Sequence, residues 1–365
     1  MIGPPDNRAA RLWAPCRRRA TLPATMDPIE TWLALNPDPA ADPARGMAEA
    51  GLLAPLPDYA SIARLKAAIV AHTGMLGLAS VWGGRQLVFR HFLSFGTDAQ
   101  RTACAGRSLA VAISEPDVGA HPKKLTTRAD RTSAGFHITG RKAWVTNGPS
   151  ADAIIVFAIT GFAITGQTEA RKRYSAFIVP RDTPGLTMQD MPGFHALRPS
   201  RHCLLTLDCD VPDTALLGDP GSAYERMALP FRDIEDAVGT FATLGAIRHA
   251  TRAIRTEPTV ALGEIVALTA VFAAAAEALV TSLDAGTPDA ATLAGLRVLA
   301  IDITARLRGL AHAATTTVDG AGTASPDDAA STILNDLDAT LAIAKGPRLM
   351  RLTRLAETME RSAAA

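Results

Sequence analysis

The sequence lacks the short motifs that mark several large classes of enzyme. Its 365 residues contain no HExxH metal-binding pattern, no GxSxG nucleophile turn, no phosphate-binding P-loop and no GxGxxG dinucleotide fingerprint. Cysteines are few and show no CxxC spacing, which argues against a disulfide framework and favours a reducing, cytoplasmic compartment. We expect structural roles for all four cysteines: Cys16, Cys104, Cys203 and Cys209.

An excess of one charge and long apolar runs are also missing. The 37 Lys and Arg side chains nearly balance the 36 Asp and Glu side chains, giving a net charge of +1. This balance does not favour a nucleic-acid partner. No uninterrupted apolar run reaches the roughly 20 residues that a membrane span needs. We therefore expect neither nucleic acid nor a membrane among the binding partners.

Aromatic side chains make up only 5% of the sequence, although 48% of the residues are hydrophobic, and this composition favours helices built from small residues. Apolar residues recur at helical spacing in residues 27–110 and again in residues 214–365. Between them, in residues 111–213, the period changes to two and glycine and proline separate short segments. We predict an α+β fold with a helical domain, a central β domain and a helical bundle. Residues 1–26 are interpreted as a disordered or misannotated extension.

Residues 111–148 contain two runs that are candidate strands, and each of them ends in a turn. AISEPDVGA covers residues 112–120, and GRKAWVTNG covers residues 140–148. The alternation in each run is typical of a half-buried strand that ends in a loop. We expect a polar rim of Ser114, Trp144 and Thr146 where the two strands end. Such a rim suits a flat aromatic ligand that forms hydrogen bonds.

These runs, together with the domain order, resemble the acyl-CoA dehydrogenase family. The two runs resemble its signatures on either side of a β hairpin, and further similar segments are GTDAQR at 96–101, FIVPRDTPGL at 177–186, VPDTALLGDPGSAY at 211–224 and Leu244-Gly245-Ala246. The resemblance identifies the chain as a divergent member. It implies an N-terminal helical domain, a central antiparallel β-barrel or sandwich and a C-terminal four-helix bundle.

The resemblance also implies a flavoprotein oxidoreductase of fatty acid metabolism that introduces an α,β double bond into an acyl-CoA thioester. The expected cofactor is FAD. By resemblance, the Ile113 backbone and Ser114 bind the pyrimidine edge of the flavin, Trp144 packs on the ring, and Thr146 binds near the reactive nitrogen. An electron-transfer acceptor protein and a homo- or hetero-oligomer built through the bundle are the implied partners.

The expected general base is Glu235. In one branch of the family the catalytic glutamate lies ten residues before the glycine of the Leu-Gly pair, and counting back from Gly245 gives this position. A carboxylate buried beside a flavin and an acyl chain acquires a pKa near working pH. The alternative is that residues 232–236 form the charged first turn of a helix, where acidic residues favour the helix dipole.

Four positions depart from the family pattern. Ala120 replaces a serine that meets the cofactor phosphates, and Asp236 replaces an arginine beside the base. Residues 260–264 lack the arginine and the phenylalanine of an Arg-x-x-Phe-Gly segment, and Lys345 occupies the commonest position of the catalytic glutamate. Two alternatives therefore stay open: a catalytically impaired partner subunit of a hetero-oligomeric acyl-CoA dehydrogenase, or a related flavin monooxygenase or oxidase.

Overall fold

The structure is a computed structural model that describes residues 28–165, 168–254, 257–316, 327–343 and 345–363. The predicted disordered extension at residues 1–26 lies outside this range. Four helices come first: α1 (Pro28–Leu35), α2 (Tyr59–Thr73), α3 (Leu76–Leu87) and α4 (Asp98–Cys104). The α+β class predicted from the sequence is confirmed, because these helices precede a single sheet and a second group of helices.

Local capping chemistry fixes the ends of α2. Asp58 accepts a hydrogen bond from the backbone N–H of Ser61, and Gly74 ends the helix in the left-handed conformation with φ 70°. The carboxylate of Asp284, from a distant helix, accepts bonds from the backbone N–H groups of Tyr59 and Ala60 at 2.8 and 3.0 Å. The first turn of α2 is therefore attached to the C-terminal part of the chain.

The central sheet contains eight strands within the described residues. They are β1 (Leu109–Ala112), β2 (Arg128–Arg131), β3 (Gly135–Thr146), β4 (Ala153–Thr165), β5 (Thr168–Pro180), β6 (Leu186–Asp190), β7 (His202–Pro212) and β8 (Leu216–Leu217), in the order β6-β7-β3-β2-β4-β5-β8, with β1 paired to β4. Strand pairing thus extends slightly beyond residues 111–213 at both ends; the domain bounds themselves stay a prediction.

The sheet is mixed, whereas the sequence predicted a purely antiparallel one. Strands β1 and β2 each pair with β4 in parallel, and all other pairs are antiparallel. Short turns give antiparallel neighbours, but the chain between β1 and β4 contains two further strands and is long enough for a parallel crossover. β2 was not predicted, because three of its four residues are charged and only Ala129 is buried.

The segment before the second helical group is anchored by a buried histidine. A π-helical turn at Val88–Phe92 follows α3, and another at Tyr224–Ala228 precedes the next helix. His91 Nε2 lies 2.8 Å from the carbonyl oxygen of Met227. Because a carbonyl can only accept, this nitrogen donates the hydrogen bond, which joins the two π-helical turns.

The helical bundle consists of α5 (Leu229–Ala253), α6 (Val260–Asp284), α7 (Ala290–Thr316), α8 (Asp327–Ala342) and α9 (Lys345–Ala363). Helix α5 packs closely on α2, and Gly245 makes this approach possible. A Cβ atom at Gly245 would lie 2.4 Å from the backbone oxygen of Ala67. The Leu-Gly pair read from the sequence therefore has a structural reason: only a residue without a side chain fits between the two helices.

Helix α6 is the one helix in the described part of the chain with the length and hydropathy to cross a membrane. The sequence shows no uninterrupted apolar run of this length here, because Glu264 and Glu277 divide the helix. These carboxylates pair with Arg306 of α7 and Arg64 of α2 at 2.8 and 2.7 Å. Only 28% of its apolar window is buried, so α6 presents an apolar face outside the bundle core.

Candidate functional site

The two runs singled out in the sequence meet where β1 ends and β3 bends. Ile113 and Ser114 directly follow the last residue of β1, and the Ser114 carbonyl accepts a hydrogen bond from the backbone N–H of Ala143 at 2.9 Å. The register of β3 against β7 shifts between Lys142 and Val145. This bulge turns Trp144 out of the regular alternation. The structure thus brings together Ile113, Ser114, Trp144 and Thr146.

A buried ion pair lies directly beneath this rim. Lys142 Nζ donates to Glu115 Oε1 and to the Ile113 carbonyl, both at 3.1 Å. The Lys142 side chain is fully buried and that of Glu115 is 4% exposed. Since Glu115 follows β1 and Lys142 belongs to β3, the pair joins the two runs.

Glu115 is held by further hydrogen bonds from the next turn of chain. Its carboxylate accepts from the backbone N–H and hydroxyl of Thr126 at 2.7 and 2.8 Å and from the backbone N–H of Thr127 at 2.9 Å. Burial alone would raise the pKa of Glu115, but the Lys142 ammonium and these donors outweigh it and lower the pKa to about 2. Glu115 is therefore ionised at neutral pH.

Trp144 is the exposed element of the rim. Its backbone is left-handed, with φ 59°, and its side chain is 44% exposed. Such a conformation in a bulky residue costs on the order of 1–3 kcal/mol and persists only where the surroundings enforce it. The rings of Phe194 and His202 contact the indole at centroid distances of 5.3 and 6.1 Å, both steeply inclined to it.

Unused polar groups surround the indole. Within the described residues, the hydroxyls of Ser114 and Thr146 and the Trp144 indole N–H form no hydrogen bond, and Nδ1 of His202 is buried without a partner. His202 pairs with Thr146 across the β3 and β7 strands. Burial, aided by Arg198, lowers the pKa of His202, so the ring is neutral at pH 7. These groups can bind the polar edge of a ligand that covers the indole.

The turn after Thr146 fixes the rim against the helical domain. Asn147 is buried and left-handed with φ 59°, as the predicted Asn-Gly turn requires. Its amide donates to the Ser80 carbonyl in α3 at 3.3 Å and accepts from the Ser200 hydroxyl at 3.1 Å. The turn that ends the rim is therefore hydrogen-bonded both to α3 and to the segment that precedes β7.

Glu235 lies on a different element, α5, on the side that meets α2. The helix begins at Leu229 after a π-helical turn, so residues 232–236 are not its first turn, and the alternative reading based on the helix dipole loses its support. Glu235 is exposed to solvent, although protein is dense in its wider surroundings. Desolvation by that protein raises the pKa of Glu235, Asp236 raises it further and Lys66 of α2 opposes both.

Asp236, at the position of the expected arginine, is itself paired with arginines. Arg351 of α9 lies 3.4 Å from Asp236 and 3.1 Å from Asp233, and Arg348 lies 3.9 Å from Asp236. Position 236 of α5 thus lacks the expected arginine, but two guanidinium groups of α9 lie beside it. Helix α9 begins at Lys345, whose side chain lies outside the described structure.

Ala120 has lost the hydroxyl expected there, but its backbone is held in place. Its carbonyl accepts a bond from the Tyr224 hydroxyl at 2.7 Å, and the Tyr174 hydroxyl donates to the neighbouring Pro122 carbonyl. The loop therefore keeps a fixed path beside the start of α5. At the other departure, Val260 is 83% exposed at the first position of α6.

Other described parts of the surface are weaker candidates for a functional site. Two recesses of about 340 and 400 Å³ lie on the sheet, away from Trp144 and Glu235, and their charges are already paired, as in Arg201 with Asp190 and Arg128 with Asp130. No group of three or more His, Cys, Asp or Glu side chains in the described residues could hold a metal. The three described cysteines are buried and free.

Sequence reasoning missed the buried lysines and the aromatic partners of Trp144. Alternation in β3 places four residues on one face of the strand: Phe136, Ile138, Gly140 and Lys142. A lysine on this otherwise apolar face was a signal that its side chain is buried and paired with an acid. No local pattern could have placed Phe194 or His202 beside Trp144, because the first contact depends on the path of a loop and the second on the pairing of β3 with β7.

Comparison with known proteins relates the central domain and the fold to a known family. The family model of the acyl-CoA dehydrogenase middle domain matches residues 110–209. The human short-chain specific acyl-CoA dehydrogenase is 34% identical over 140 residues, which is 36% of this chain and 33% of the relative. The chain thus matches about a third or less of the length of such curated relatives.

Solved structures resemble the chain over most of its length. Butyryl-CoA dehydrogenase from Megasphaera elsdenii superposes with a TM-score of 0.70 and 18% identity, covering 90% of this chain and 89% of that one. The FAD complex of PigA superposes with a TM-score of 0.67 and 16% identity, covering 82% of each chain. The middle domain is thus matched by sequence and the architecture by structure: residues 110–209 match the acyl-CoA dehydrogenase middle domain, and the chain has the acyl-CoA dehydrogenase fold.

Proposed function

We propose that the chain binds FAD at the rim of Ser114, Trp144 and Thr146 and oxidises an acyl-CoA thioester to its α,β-enoyl form. The observation that carries the proposal is the strained, exposed indole of Trp144 surrounded by unused polar groups. The middle-domain match covers these residues, and one structural neighbour is an FAD complex.

The residues present suit a flavin ring. The Trp144 indole offers an exposed apolar surface, and the Ser114 and Thr146 hydroxyls are free to form hydrogen bonds within the described residues. The ring nitrogens and carbonyls of a flavin need such donors and acceptors. In the proposed complex the backbone of Ile113 and Ser114 binds the pyrimidine edge, Trp144 covers the ring and Thr146 binds near the reactive nitrogen.

Bound FAD supplies the acceptor for the hydride that leaves the substrate β-carbon. The protein contributes positioning and proton transfer. The Glu115 and Lys142 pair fixes the two loops that form the rim, so the hydrogen-bonding groups need no rearrangement when charge develops. Glu235 takes the α-proton, and its raised pKa favours the neutral carboxylic acid that results.

The proposed substrate and partners of the chain are based on the same family resemblance. We propose an acyl-CoA thioester as substrate, an electron-transfer protein as acceptor and a reducing, cytoplasmic environment for the three buried free thiols. Self-association is supported by apolar side chains exposed on two neighbouring bundle helices: Val266 and Val271 of α6, and Val298 and Ile301 of α7.

The test combines cofactor binding with turnover. The purified chain is titrated with FAD, and the protein with FAD bound is assayed with a series of acyl-CoA thioesters and an artificial electron acceptor. We expect saturable FAD binding and a turnover that falls by about 10²–10⁴ in Glu235→Gln. Undiminished turnover in Glu235→Gln would contradict the assignment of the base, and failure to bind FAD would contradict the proposal as a whole.

The second candidate function is a catalytically impaired partner subunit. It is favoured by the alanine at position 120, which replaces the expected serine. It is also favoured by the exposed start of α6 at Val260, because the expected Arg-x-x-Phe-Gly segment would contact a neighbouring subunit's cofactor from this position. Co-expression with a complete relative distinguishes the two functions. A stable mixed oligomer, with activity that is unchanged by Glu235→Gln in this chain, supports the impaired subunit.

A further inference from the structure

His202 is a histidine at the rim to which the proposed function assigns no role. It is the first residue of β7 and lies opposite Thr146 in the register of β3 against β7. Burial alternates along β7, with Cys203 and Leu205 in the core and the residues of the other parity facing outwards. His202 has this outward parity, so the core of the sheet does not require an aromatic ring at its position.

Thr146 and His202 are near neighbours on the outer face of the sheet. The next pair along the strands is hydrogen-bonded, since the backbone N–H of Asn147 donates to the Arg201 carbonyl at 2.6 Å. Hydrogen-bonded and non-hydrogen-bonded pairs alternate in an antiparallel ladder, so Thr146 and His202 form a non-hydrogen-bonded pair. The side chains of such a pair lie closer together than those of a hydrogen-bonded pair. The imidazole of His202 therefore lies beside the Thr146 side chain.

Two aromatic rings hold the imidazole of His202 in place. Its centroid lies 6.1 Å from that of the Trp144 indole, at an interplanar angle of 74°, and 4.9 Å from that of Phe194, also at 74°. Phe194 in turn contacts the indole at 5.3 Å. The three rings thus contact one another edge to face, which fixes the imidazole beside the exposed indole.

The two ring nitrogens of His202 differ in their surroundings. Nδ1 is buried and has no hydrogen-bond partner in the described part of the chain. Nε2 also bonds to none of the described residues, but it is open to solvent. A buried N–H without a partner is rarer than a buried acceptor without one, so we assign the proton to Nε2. His202 therefore presents an unused N–H donor beside Thr146.

This donor carries no charge at pH 7. Burial lowers the pKa of His202, and the positive charge of Arg198 lowers it further, so the imidazole is neutral. A neutral N–H donor binds a carbonyl oxygen or an unprotonated ring nitrogen without adding a charge to the site.

We propose that His202 is a further binding residue of the rim, whose Nε2–H donates a hydrogen bond to the flavin ring at the edge that Thr146 also contacts. The inference rests on the proposed function for the identity of the ligand. The nitrogens and carbonyls of a flavin ring are suitable acceptors. Because a hydrogen bond to a charged acceptor is roughly twice as strong as one to a neutral acceptor, this donor favours the negatively charged, reduced ring over the oxidised one.

Two substitutions separate the hydrogen bond from the packing of the ring. His202→Phe keeps an aromatic ring against Trp144 and Phe194 but removes the donor. His202→Gln removes the ring, and its side-chain amide carries an N–H about as far from the backbone as Nε2. If His202 only packs, His202→Phe behaves like the wild type and His202→Gln does not. If His202 donates a hydrogen bond, the order is reversed.

The measurements are made on the full chain without any acyl-CoA. They are the affinity for FAD, from the quenching of flavin fluorescence, and the midpoint potential of the bound flavin. We expect His202→Phe to bind FAD about three- to tenfold more weakly. Its affinity for the reduced flavin should fall by about a further tenfold, which lowers the potential of a two-electron couple by about 30 mV. His202→Gln should recover most of both losses.

His72 provides the matched control. It is an exposed histidine of α2 whose Nδ1 lies 2.8 Å from the Ala68 carbonyl oxygen in the same helix. His72→Phe and His72→Gln make the same chemical changes away from the rim, and both should leave the FAD affinity and the potential unchanged.

The outcomes separate this inference from the proposed function. FAD affinity and potential that are equal in His202→Phe and in the wild type overturn the inference alone, as does a loss in His202→Gln as large as that in His202→Phe. A chain that binds no FAD overturns the inference and the proposed function together. A chain that binds FAD and responds as expected at His202, but oxidises no acyl-CoA, supports the inference and overturns only the proposed reaction.

Discussion

The buried pair of Glu115 and Lys142 supports the strongest prediction, because it joins the two loops that form the rim. In Glu115→Gln the fully buried Lys142 ammonium loses its counter-charge and keeps only neutral acceptors, such as the Ile113 carbonyl. In Lys142→Met the Glu115 carboxylate keeps the donors of Thr126 and Thr127 but loses its counter-charge. Each single change therefore leaves an uncompensated charge in the interior.

The structure allows the magnitude to be worked out in two ways. The pKa of Glu115 falls from an ordinary 4.5 to about 2, which favours its ionised form in the folded state by about 3 kcal/mol. Burial lowers the pKa of Lys142 to about 8 and opposes its ionised form by a similar amount, so each charge depends on the other. Breaking a buried pair on one side costs about 3–5 kcal/mol in other proteins. We expect each single variant to lose about 3 kcal/mol of unfolding free energy, and the double variant Glu115→Gln with Lys142→Met to lose much less.

The assay is equilibrium urea unfolding of the wild type, the two single variants and the double variant, monitored by far-ultraviolet circular dichroism. The FAD affinity of the same four proteins is measured separately. The exposed pair of Arg128 and Asp130 serves as a matched control, since breaking it should change stability by less than about 1 kcal/mol. The reasoning is refuted if the effects of the two single changes add in the double variant, because additivity means that the two charges do not depend on each other.

Further predictions concern pH, the indole, Lys66 and the bundle surface. Since the pKa of Glu115 is lower in the folded state, its stabilisation is complete above pH 4.5 and is lost as pH falls towards 2; acid unfolding curves of wild type and of the double variant should differ in that window. Trp144→Ala should weaken FAD binding about tenfold, measured by flavin fluorescence, with unchanged secondary structure. Because burial lowers the pKa of Lys66, its charge opposes folding at pH 7 and is relieved only as pH rises towards 10.5; Lys66→Met should raise the unfolding free energy at pH 7 by about 1 kcal/mol in urea titrations. Val266→Glu on the exposed face of α6 should reduce the oligomer mass measured by light scattering, whereas an unchanged mass removes α6 from the interface.

The sequence predicted the rim well because the information there is local. Strand alternation and turn chemistry predicted strands that end at Ser114 and Thr146. In the structure β3 does end at Thr146, β1 ends at Ala112, and a bond between Ala143 and Ser114 joins the two segments. Periodicity likewise predicted the helices on both sides of the sheet. The left-handed backbone of Trp144 was not predictable, because a bulky residue adopts it only under tertiary constraint.

Long-range contacts account for what the sequence could not supply. The parallel pairing of β1 with β4 joins residues about forty positions apart, as in Leu109 with Ala153, and no local pattern encodes it. The arginines that face Asp236 come from α9, more than a hundred residues later. The role of Glu235 stays a prediction, because no local pattern shows which groups surround a side chain on α5.

The most direct test of the central claim is an anaerobic titration of the purified chain, reconstituted with FAD, with acyl-CoA thioesters of increasing length. The account predicts a bound flavin whose visible absorbance bleaches with at least one thioester in wild type and persists in Glu235→Gln. A chain that binds no FAD at saturating concentration, or whose bound flavin bleaches equally in Glu235→Gln, would contradict it.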